Sequence, residues 1–190
     1  MTQGRYRISF TSGSLYHRES VKLADLYLSL HDWEEVRAQA LRDNLLQART
    51  ESRVKRTGRE AIARLKTLTE SELTFLAEAN HQDQAHLLWV AVCRLYRFIA
   101  DFAVEVLHER FVVMKLDLGF EDFYAFYNRK SEWHDELVNA SASTRDKLRQ
   151  NSSPLSLTCC FFQGWARSSP TYAPITCSTT YRAPPKTNQR

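Results

Sequence analysis

The residues from Gln84 to Leu118 form the longest apolar stretch of the chain and constrain most strongly what it can fold into. Apolar side chains recur there at three- and four-residue steps, which is the period of an amphipathic helix. These positions are Leu88, Val92, Leu95, Ile99, Phe102 and Val106, with Trp89, Val90, Phe98, Ala103 and Leu107 beside them. A helix with so wide an apolar surface needs partners on several sides. The pattern therefore predicts the long central helix of a small all-α bundle.

A membrane-spanning helix is the alternative interpretation of this stretch, since about 18 apolar residues with few charges are enough to cross a bilayer. Four ions interrupt the stretch, namely Arg94, Arg97, Asp101 and Glu105. Each ion near the bilayer centre costs about 3 kcal/mol, and the three- and four-residue spacing places all four on one face. The sequence therefore predicts a core helix with one solvated face and no membrane insertion.

Charge is unevenly distributed along the chain. Residues 1–150 carry 22 Lys and Arg against 22 Asp and Glu, so the net charge of +4 comes from residues 151–190. Within the first part, residues 42–66 hold eight cations and three acids, whereas residues 67–118 hold four cations and eight acids. This separation of charge indicates a polyanionic partner on one side of the folded part.

Capping and turn residues divide the chain before the central stretch into four shorter helices. They predict helices over 15–30, 33–46 and 51–68 and a short one after Thr69. The second and third predicted helices are separated only by residues 47–50, and so short a connection is typical of a helix-turn-helix unit. The third begins with a cationic half in which Arg49, Arg53 and Arg56 follow helical steps. Such a half suits a DNA major groove or backbone phosphates, and a solvated face of an ordinary surface helix is the alternative.

Three further elements flank this bundle. Residues 6–10 alternate in the manner of a short extended arm. After Gly119, a helix places Phe120, Phe123, Tyr124 and Tyr127 on one side, which predicts an aromatic face that closes the core over the central helix. A stacking platform for unpaired bases is the alternative. Ser143, followed three residues later by Asp146, predicts the cap of a last short helix.

The character of the sequence changes at residue 151. Residues 151–190 contain all five prolines and twelve Ser and Thr but no Asp or Glu, and no helical or strand period persists there. This composition predicts a disordered tail. A segment translated in the wrong reading frame is the other interpretation, since so abrupt a loss of acids is improbable. The chain is therefore predicted to consist of a helical domain over 1–150 and a disordered or frameshifted tail over 151–190.

The sequence lacks motifs for catalysis or for cofactor binding. Six histidines are scattered, four cysteines show no CxxC pairing, and neither a glycine-rich phosphate loop nor a nucleophile elbow is present. The group His81, Asp83 and His86 at a helix start fits capping better than metal ligation. We therefore predict no catalytic residue, no metal and no cofactor. The N-terminus has no apolar secretory leader, which indicates a cytoplasmic protein.

Five long strings carry a resemblance to a known family. They are YRISFTSGSL, ESVKLADLYLSLHDWEEVR, NLLQARTESRVKRTGREAIARLKTLTESEL, LLWVAVCRLYRFIADFAVEVLHERF and FEDFYAFYNRKSEWHDEL. Together, over residues 5–150, they resemble the BrxA family of accessory proteins encoded with BREX bacteriophage-exclusion systems. The resemblance implies a helical fold that is partly NusB-like, and binding to double-stranded DNA. It ends near residue 150, where members of the family continue with further apolar, helical or winged segments.

Carried onto this chain, the resemblance favours DNA contacts in and around the cationic half of the third helix. The predicted contacts are Arg42, Gln47, Arg49, Thr50, Arg53, Lys55, Arg56 and Arg59, chosen by charge and position. The predicted function is that of a non-enzymatic accessory protein that binds double-stranded DNA through residues 1–150. Two alternatives remain open. One is a scaffold subunit whose basic helix meets an acidic surface of another BREX protein, and the other is NusB-like RNA binding, by analogy of fold.

Overall fold

A computed structural model describes residues 5–9, 14–47, 49–114 and 119–152, and these residues form helices and turns without any strand. The predicted all-α class is confirmed. The tail from residue 153 onward lies outside the described residues. In chain order the helices are α1 (His17–Leu30), α2 (Trp33–Arg42), α3 (Glu51–Leu65), α4 (Glu70–Glu78), α5 (His81–Leu95), α6 (Arg97–Phe102), α7 (His108–Val112), α8 (Phe120–Ser131), α9 (Asp135–Val138) and α10 (Ala142–Asn151). Residues Ala103–Leu107 between α6 and α7 are π-helical.

Side-chain caps begin several of these helices. The Asp32 carboxylate accepts a hydrogen bond from the Glu34 N–H at 2.8 Å, and the Thr50 hydroxyl accepts one from the Arg53 N–H at 3.3 Å. Thr69 forms the predicted capping box with Glu72. Each cap satisfies N–H groups that have no partner within the helix, which fixes where the helix starts.

The buried side chains form two cores that share α5. The first core lies among α1 to α4 and includes Leu23, Val36, Ala61, Leu65 and Leu76, and α5 adds Leu88 and Ala91 to it. The second core lies among α6, α8 and the later helices and includes Phe98, Phe102, Phe123, Phe126 and Leu137, and α5 adds Trp89 and Val92. Because α5 presents apolar side chains to both sides, it joins the two halves of the domain.

The single helix predicted from Gln84 to Leu118 is divided at Tyr96. This residue has φ −117° and ψ 87°, outside the helical region, so α5 ends there and α6 begins at the next residue. Most of the predicted stripe is buried as expected, but Val90 is exposed. Residues 115–118 lie outside the described part of the chain.

A buried polar network holds the break at Tyr96. The Tyr96 side chain is fully buried, and its hydroxyl donates a hydrogen bond of 2.5 Å to Oε1 of Glu60 on α3. The same oxygen accepts a 3.1 Å bond from Nε of Arg64, whose Nη1 donates to the Ser14 carbonyl at 2.7 Å. The Arg64 guanidinium also lies 5.2 Å from the centre of the Tyr16 ring. Burial and the hydrogen bond to Glu60 raise the pKa of Tyr96 to about 12.

The four ions of the apolar stretch do not share one solvated face. Arg94 and Arg97 are exposed, whereas Asp101 and Glu105 are half-buried. Asp101 lies 3.6 Å from Nζ of Lys130 on α8, and Glu105 also pairs with Lys130. The two acids therefore anchor α8 rather than face solvent. Among the described helices, none has the combination of length and apolarity needed to cross a bilayer.

Three predicted boundaries or faces differ from the structure. Helix α2 ends at Arg42 rather than near Leu46, because residues 43–46 form a turn. Phe120 is exposed, and Phe126 takes its place in the second core. The cap of α10 is Ser141, whose hydroxyl accepts from the Thr144 N–H at 3.2 Å, so this helix starts before the predicted cap Ser143.

The buried network gives a first prediction about stability. Replacing Arg64 with Met leaves Glu60 without its cationic partner, so we expect a loss of about 3 kcal/mol in the free energy of unfolding. Tyr96→Phe removes one hydrogen bond and should cost about 1 kcal/mol. Arg37→Met, which removes an exposed pair with Glu34, is the control and should stay within about 0.5 kcal/mol. Urea unfolding followed by circular dichroism measures all three, and equal losses for Arg64→Met and Arg37→Met would contradict the prediction.

A second prediction concerns acid. Hydrogen bonds from Arg94 and from the Thr69 backbone lower the pKa of Glu72 from 4.5 to about 2. A carboxyl group whose pKa is lower in the folded state stabilises the fold at pH values above its unfolded-state pKa. This stabilisation is lost as the pH falls towards its folded-state pKa. Glu72→Gln should therefore destabilise the protein at neutral pH, with a difference from wild type that shrinks between pH 4.5 and about 2. Thermal melts across this range test it. The control Glu109→Gln removes an exposed carboxylate that pairs with no described cation.

Candidate nucleic-acid interface

The connection from α2 to α3 carries three of the predicted contact residues. It covers residues 43–50 and is longer than the three- or four-residue turn of a standard helix-turn-helix unit. Asn44 and Gln47 both have positive φ, at 43° and 50°, which is uncommon for residues other than glycine. The Gln47 N–H donates to the Asn44 carbonyl at 2.8 Å. These two residues turn the chain so that Arg49 and Thr50 reach the start of α3.

Helix α3 buries one side and exposes the other. Val54, Ala61 and Leu65 face the first core. Each residue advances about 100° around a helix of 3.6 residues per turn, so Arg56 falls near the middle of the outer face. Arg59 then lies on the side of Lys55, and Arg53 on the opposite side. All eight predicted contact residues are exposed.

Ion pairing separates the six cations among these eight residues into two groups. Arg42 pairs with Glu35 at 2.7 Å, and Lys55 pairs with Glu51 at 2.5 Å, which lowers the pKa of the Glu51 carboxyl. In contrast, no carboxylate of the described residues lies within 4.0 Å of four arginines. We call these four the α3 patch; they are Arg49, Arg53, Arg56 and Arg59. Their charge is therefore available to an external anion.

Arg64 belongs to the same cationic run but not to this surface. Its side chain is buried, and Glu60 and the Ser14 carbonyl occupy its guanidinium. Sequence reasoning missed this position because a charged residue in a charged stretch is usually exposed. The burial of Arg64 becomes clear only when the contact between Glu60 and Tyr96 is known.

A shallow groove runs between α2 and α3. Its floor is apolar and includes Ala40, Leu46 and Ile62, and its rim carries three cations, which are Arg37, Lys55 and Arg59. Gly58 lines the floor, and a methyl group added there would lie 3.7 Å from Cδ1 of Leu46, an ordinary packing distance. The groove therefore has room for a small apolar side chain beside the α3 patch.

The aromatic helix α8 does not offer its stripe to unpaired bases. Phe123 and Tyr127 are buried in the second core, as the core interpretation predicts. Phe120 is exposed, but the Arg149 guanidinium covers its ring at 4.7 Å. Trp133 is 75% exposed and is an accessible aromatic ring that the helical pattern did not indicate.

The histidines near the start of α5 serve local contacts. Asn80 caps the helix, the His81 ring lies 4.0 Å from the His17 ring, and His86 Nδ1 lies 3.9 Å from an Asp83 oxygen. Within the described part of the chain, no three His, Cys, Asp or Glu side chains are placed to hold a metal ion.

Comparison with known proteins places this arrangement in a family. The BrxA family model matches residues 4–154. The chain belongs to the BrxA family. It is 30% identical over 139 residues to "BREX protein BrxA" of Escherichia coli O9:H4 (strain HS), a match that covers 73% of this chain and 65% of that protein. It is 26% identical over 145 residues to "BREX protein BrxA" of Bacillus cereus (strain H3081.97), a match that covers 76% of this chain and 72% of that protein.

The predicted resemblance is thus confirmed, including its link to BREX bacteriophage-exclusion systems through the names of these BrxA relatives. The match spans less than two thirds of the Escherichia coli BrxA relative. The match to the family model ends close to the place where the sequence changes character, and it contains the whole of the α3 patch.

The groove gives a third prediction. Gly58→Ala removes a helix-destabilising glycine and adds a methyl group at an ordinary contact distance from Leu46, so we expect a gain of about 0.5–1 kcal/mol in the free energy of unfolding. Because Gly58 lies under the rim and not on the outer face, the exposed charge of the α3 patch should not change. Urea unfolding tests the gain. A destabilised variant would show that Leu46 leaves no room for the added methyl group.

Proposed function

We propose that this chain is a non-enzymatic accessory protein that binds double-stranded DNA through the α3 patch. The observation that carries the proposal is the exposure of four arginines without an acidic partner among the described residues. Some arginines elsewhere in the domain are engaged by acids, as Arg94 is by Glu72 and Arg129 is by Glu105. Unpaired arginines on one helix are suited to phosphate oxygens, which supply most of the affinity for duplex DNA.

The surroundings of the patch support this function. Thr50 is the last residue of the connection and caps the start of α3. The positive end of the α3 dipole therefore adds to the charge of Arg49 and Arg53. We propose that α2 and α3 act as a helix-turn-helix-like pair with a long connection, in which α3 approaches the duplex. Arg42, Gln47 and Lys55 would then border the contact. No cofactor and no catalytic group enters this function, and we place it in the cytoplasm.

The α2–α3 groove favours a second candidate function. Its apolar floor, with Leu46 and Ile62, and its cationic rim suit an acidic segment of another BREX protein such as the methyltransferase. In that case the chain acts as a scaffold. RNA binding is a third possibility that the same cations would serve, and competition between duplex DNA, RNA and a purified BREX protein separates the three functions.

The fourth prediction tests the α3 patch. Changing Arg49, Arg53 and Arg56 together to Glu should abolish duplex binding in a mobility-shift assay and leave the helical circular-dichroism signal intact. With about five phosphate contacts, the wild-type slope of log affinity against log salt should be near −4 to −5.

A matched control carries the same change of charge elsewhere. Arg18, Arg145 and Lys147 are exposed cations on α1 and α10, and their joint change to Glu should leave most of the binding. Duplex binding that survives the α3 changes as well as the control changes would refute the proposed site. Displacement of DNA by RNA at equal concentration would favour the RNA alternative.

A further inference from the structure

The segment before α1 is anchored to the second core by Tyr6. This side chain is buried, its ring lies 3.9 Å from the His134 ring, and its hydroxyl donates a 2.5 Å hydrogen bond to Asp101. Its N–H donates to the Glu136 carboxylate. Residues 5–9 have no regular secondary structure, yet these contacts fix them on the surface of α6 and α9. We call residues 5–9 the N-terminal arm.

The anchor determines which side chains of the N-terminal arm face outward. Tyr6 and Ile8 pack against the second core, so Arg5, Arg7 and Ser9 are exposed. The N-terminal arm therefore exposes two arginines, Arg5 and Arg7, on a backbone that Tyr6 holds in place. Little further ordering of the backbone is needed for them to bind an anion.

A third arginine lies beside the arm. Arg97 is the first residue of α6 and is one helical turn before Asp101, the acceptor of the Tyr6 hydroxyl. It is exposed, and it is close enough to affect the pKa of Tyr6, which its positive charge lowers although burial and Asp101 raise it overall. We call Arg5, Arg7 and Arg97 the arm patch.

The acids near the arm patch are already engaged. Glu60 binds Arg64 and the Tyr96 hydroxyl, Asp101 binds the Tyr6 hydroxyl and Lys130, and Glu136 binds the Tyr6 N–H and lies 3.3 Å from His134. No carboxylate of the described residues lies within 4.0 Å of the three arginines of the arm patch. The arm patch is therefore cationic because, as in the α3 patch, no carboxylate of the described residues pairs with its arginines.

Tyr96 connects the two patches. The Arg7 guanidinium lies 5.6 Å from the centre of the Tyr96 ring, and the Tyr96 hydroxyl binds Glu60 on α3. Arg56 precedes Glu60 by four residues, a rise of about 6 Å along the helix, and Arg53 lies on the same edge of the helix. The arm patch is thus linked through Tyr96 and Glu60 to the Arg53 edge of α3, on the side away from the α2–α3 groove.

We propose that the arm patch is a second phosphate-binding surface that continues the α3 patch, so that α3 and the anchored N-terminal arm hold one DNA duplex together. This inference rests on the proposed DNA binding and extends it to Arg5, Arg7 and Arg97. Arg7 has two roles in it, since it covers the Tyr96 ring and offers its outward N–H groups to a phosphate.

The fifth prediction tests the arm patch in the full chain. Arg5→Gln, Arg7→Gln and Arg97→Gln are combined, and the affinity for duplex DNA is measured by fluorescence anisotropy over a range of salt concentrations. Loss of two to three phosphate contacts should reduce the log–log salt slope by about 2 to 3 and weaken binding about tenfold or more at moderate salt. The matched control changes Arg94, Arg129 and Arg149 to Gln, which removes three paired arginines and should leave the slope unchanged.

Three measurements separate a contact from a structural effect. Arg7→Lys keeps the charge but weakens the stacking on Tyr96, so it should retain the wild-type slope. Thermal melts of all variants check that the domain is folded, and Arg5→Gln combined with Arg97→Gln spares Arg7 and should still lose one to two units of slope, about 0.9 per contact.

The outcomes distinguish the arm patch from the α3 patch. A wild-type slope in both arm variants, with binding lost in the α3 variant, overturns the arm patch and leaves the proposed function standing. Loss of binding in the arm variants with unchanged binding in the α3 variant supports the arm patch and overturns the α3 assignment. A wild-type chain that does not bind duplex DNA overturns both.

Discussion

The buried hydrogen bonds among Arg64, Glu60 and Tyr96 hold the domain in its arrangement. They join α3 of the first core to the break between α5 and α6, and Arg64 also binds the backbone just before α1. An uncompensated ion at this depth is costly, so the Glu60 carboxylate depends on Arg64 as its cationic partner. The exposed arginines of α3 depend on this arrangement, because Glu60 fixes one edge of the helix that carries them.

Much of the first half of the fold is determined by local rules. Asp32 and Thr69 predict where α2 and α4 begin, since a short polar side chain can take over the unsatisfied N–H groups of a helix start. The break at Tyr96 could not be predicted in the same way, because tyrosine is compatible with a helix and the break depends on Glu60, 36 residues away. The exposure of Phe120 likewise depends on how α8 packs, since Phe126 competes for the same core.

The candidate site was predicted in part, for a physical reason. Charge and spacing indicate Arg53, Arg56 and Arg59, and the structure leaves these exposed without a described acidic partner. Spacing does not reveal that the Arg64 guanidinium is buried and hydrogen-bonded to Glu60 and to the Ser14 carbonyl. Nor does it reveal that Arg7, which is distant from α5 in the sequence, covers the ring of Tyr96. Both facts are tertiary, and together they decide which cations of the chain remain available to a ligand.

The π-helical residues Ala103–Leu107 set the rotational phase of α7 relative to α6. A π turn accommodates one more residue than an α turn, so every later side chain is rotated by about 100° relative to an uninterrupted helix. In this phase Val106 and Leu107 point into the second core, and Arg110 reaches Asp122 at the start of α8. A chain shortened by one residue within Ala103–Leu107 would regain α-helical geometry but would direct Arg110 away from Asp122. The π-helical turn therefore sets the orientation in which α7 meets the start of α8.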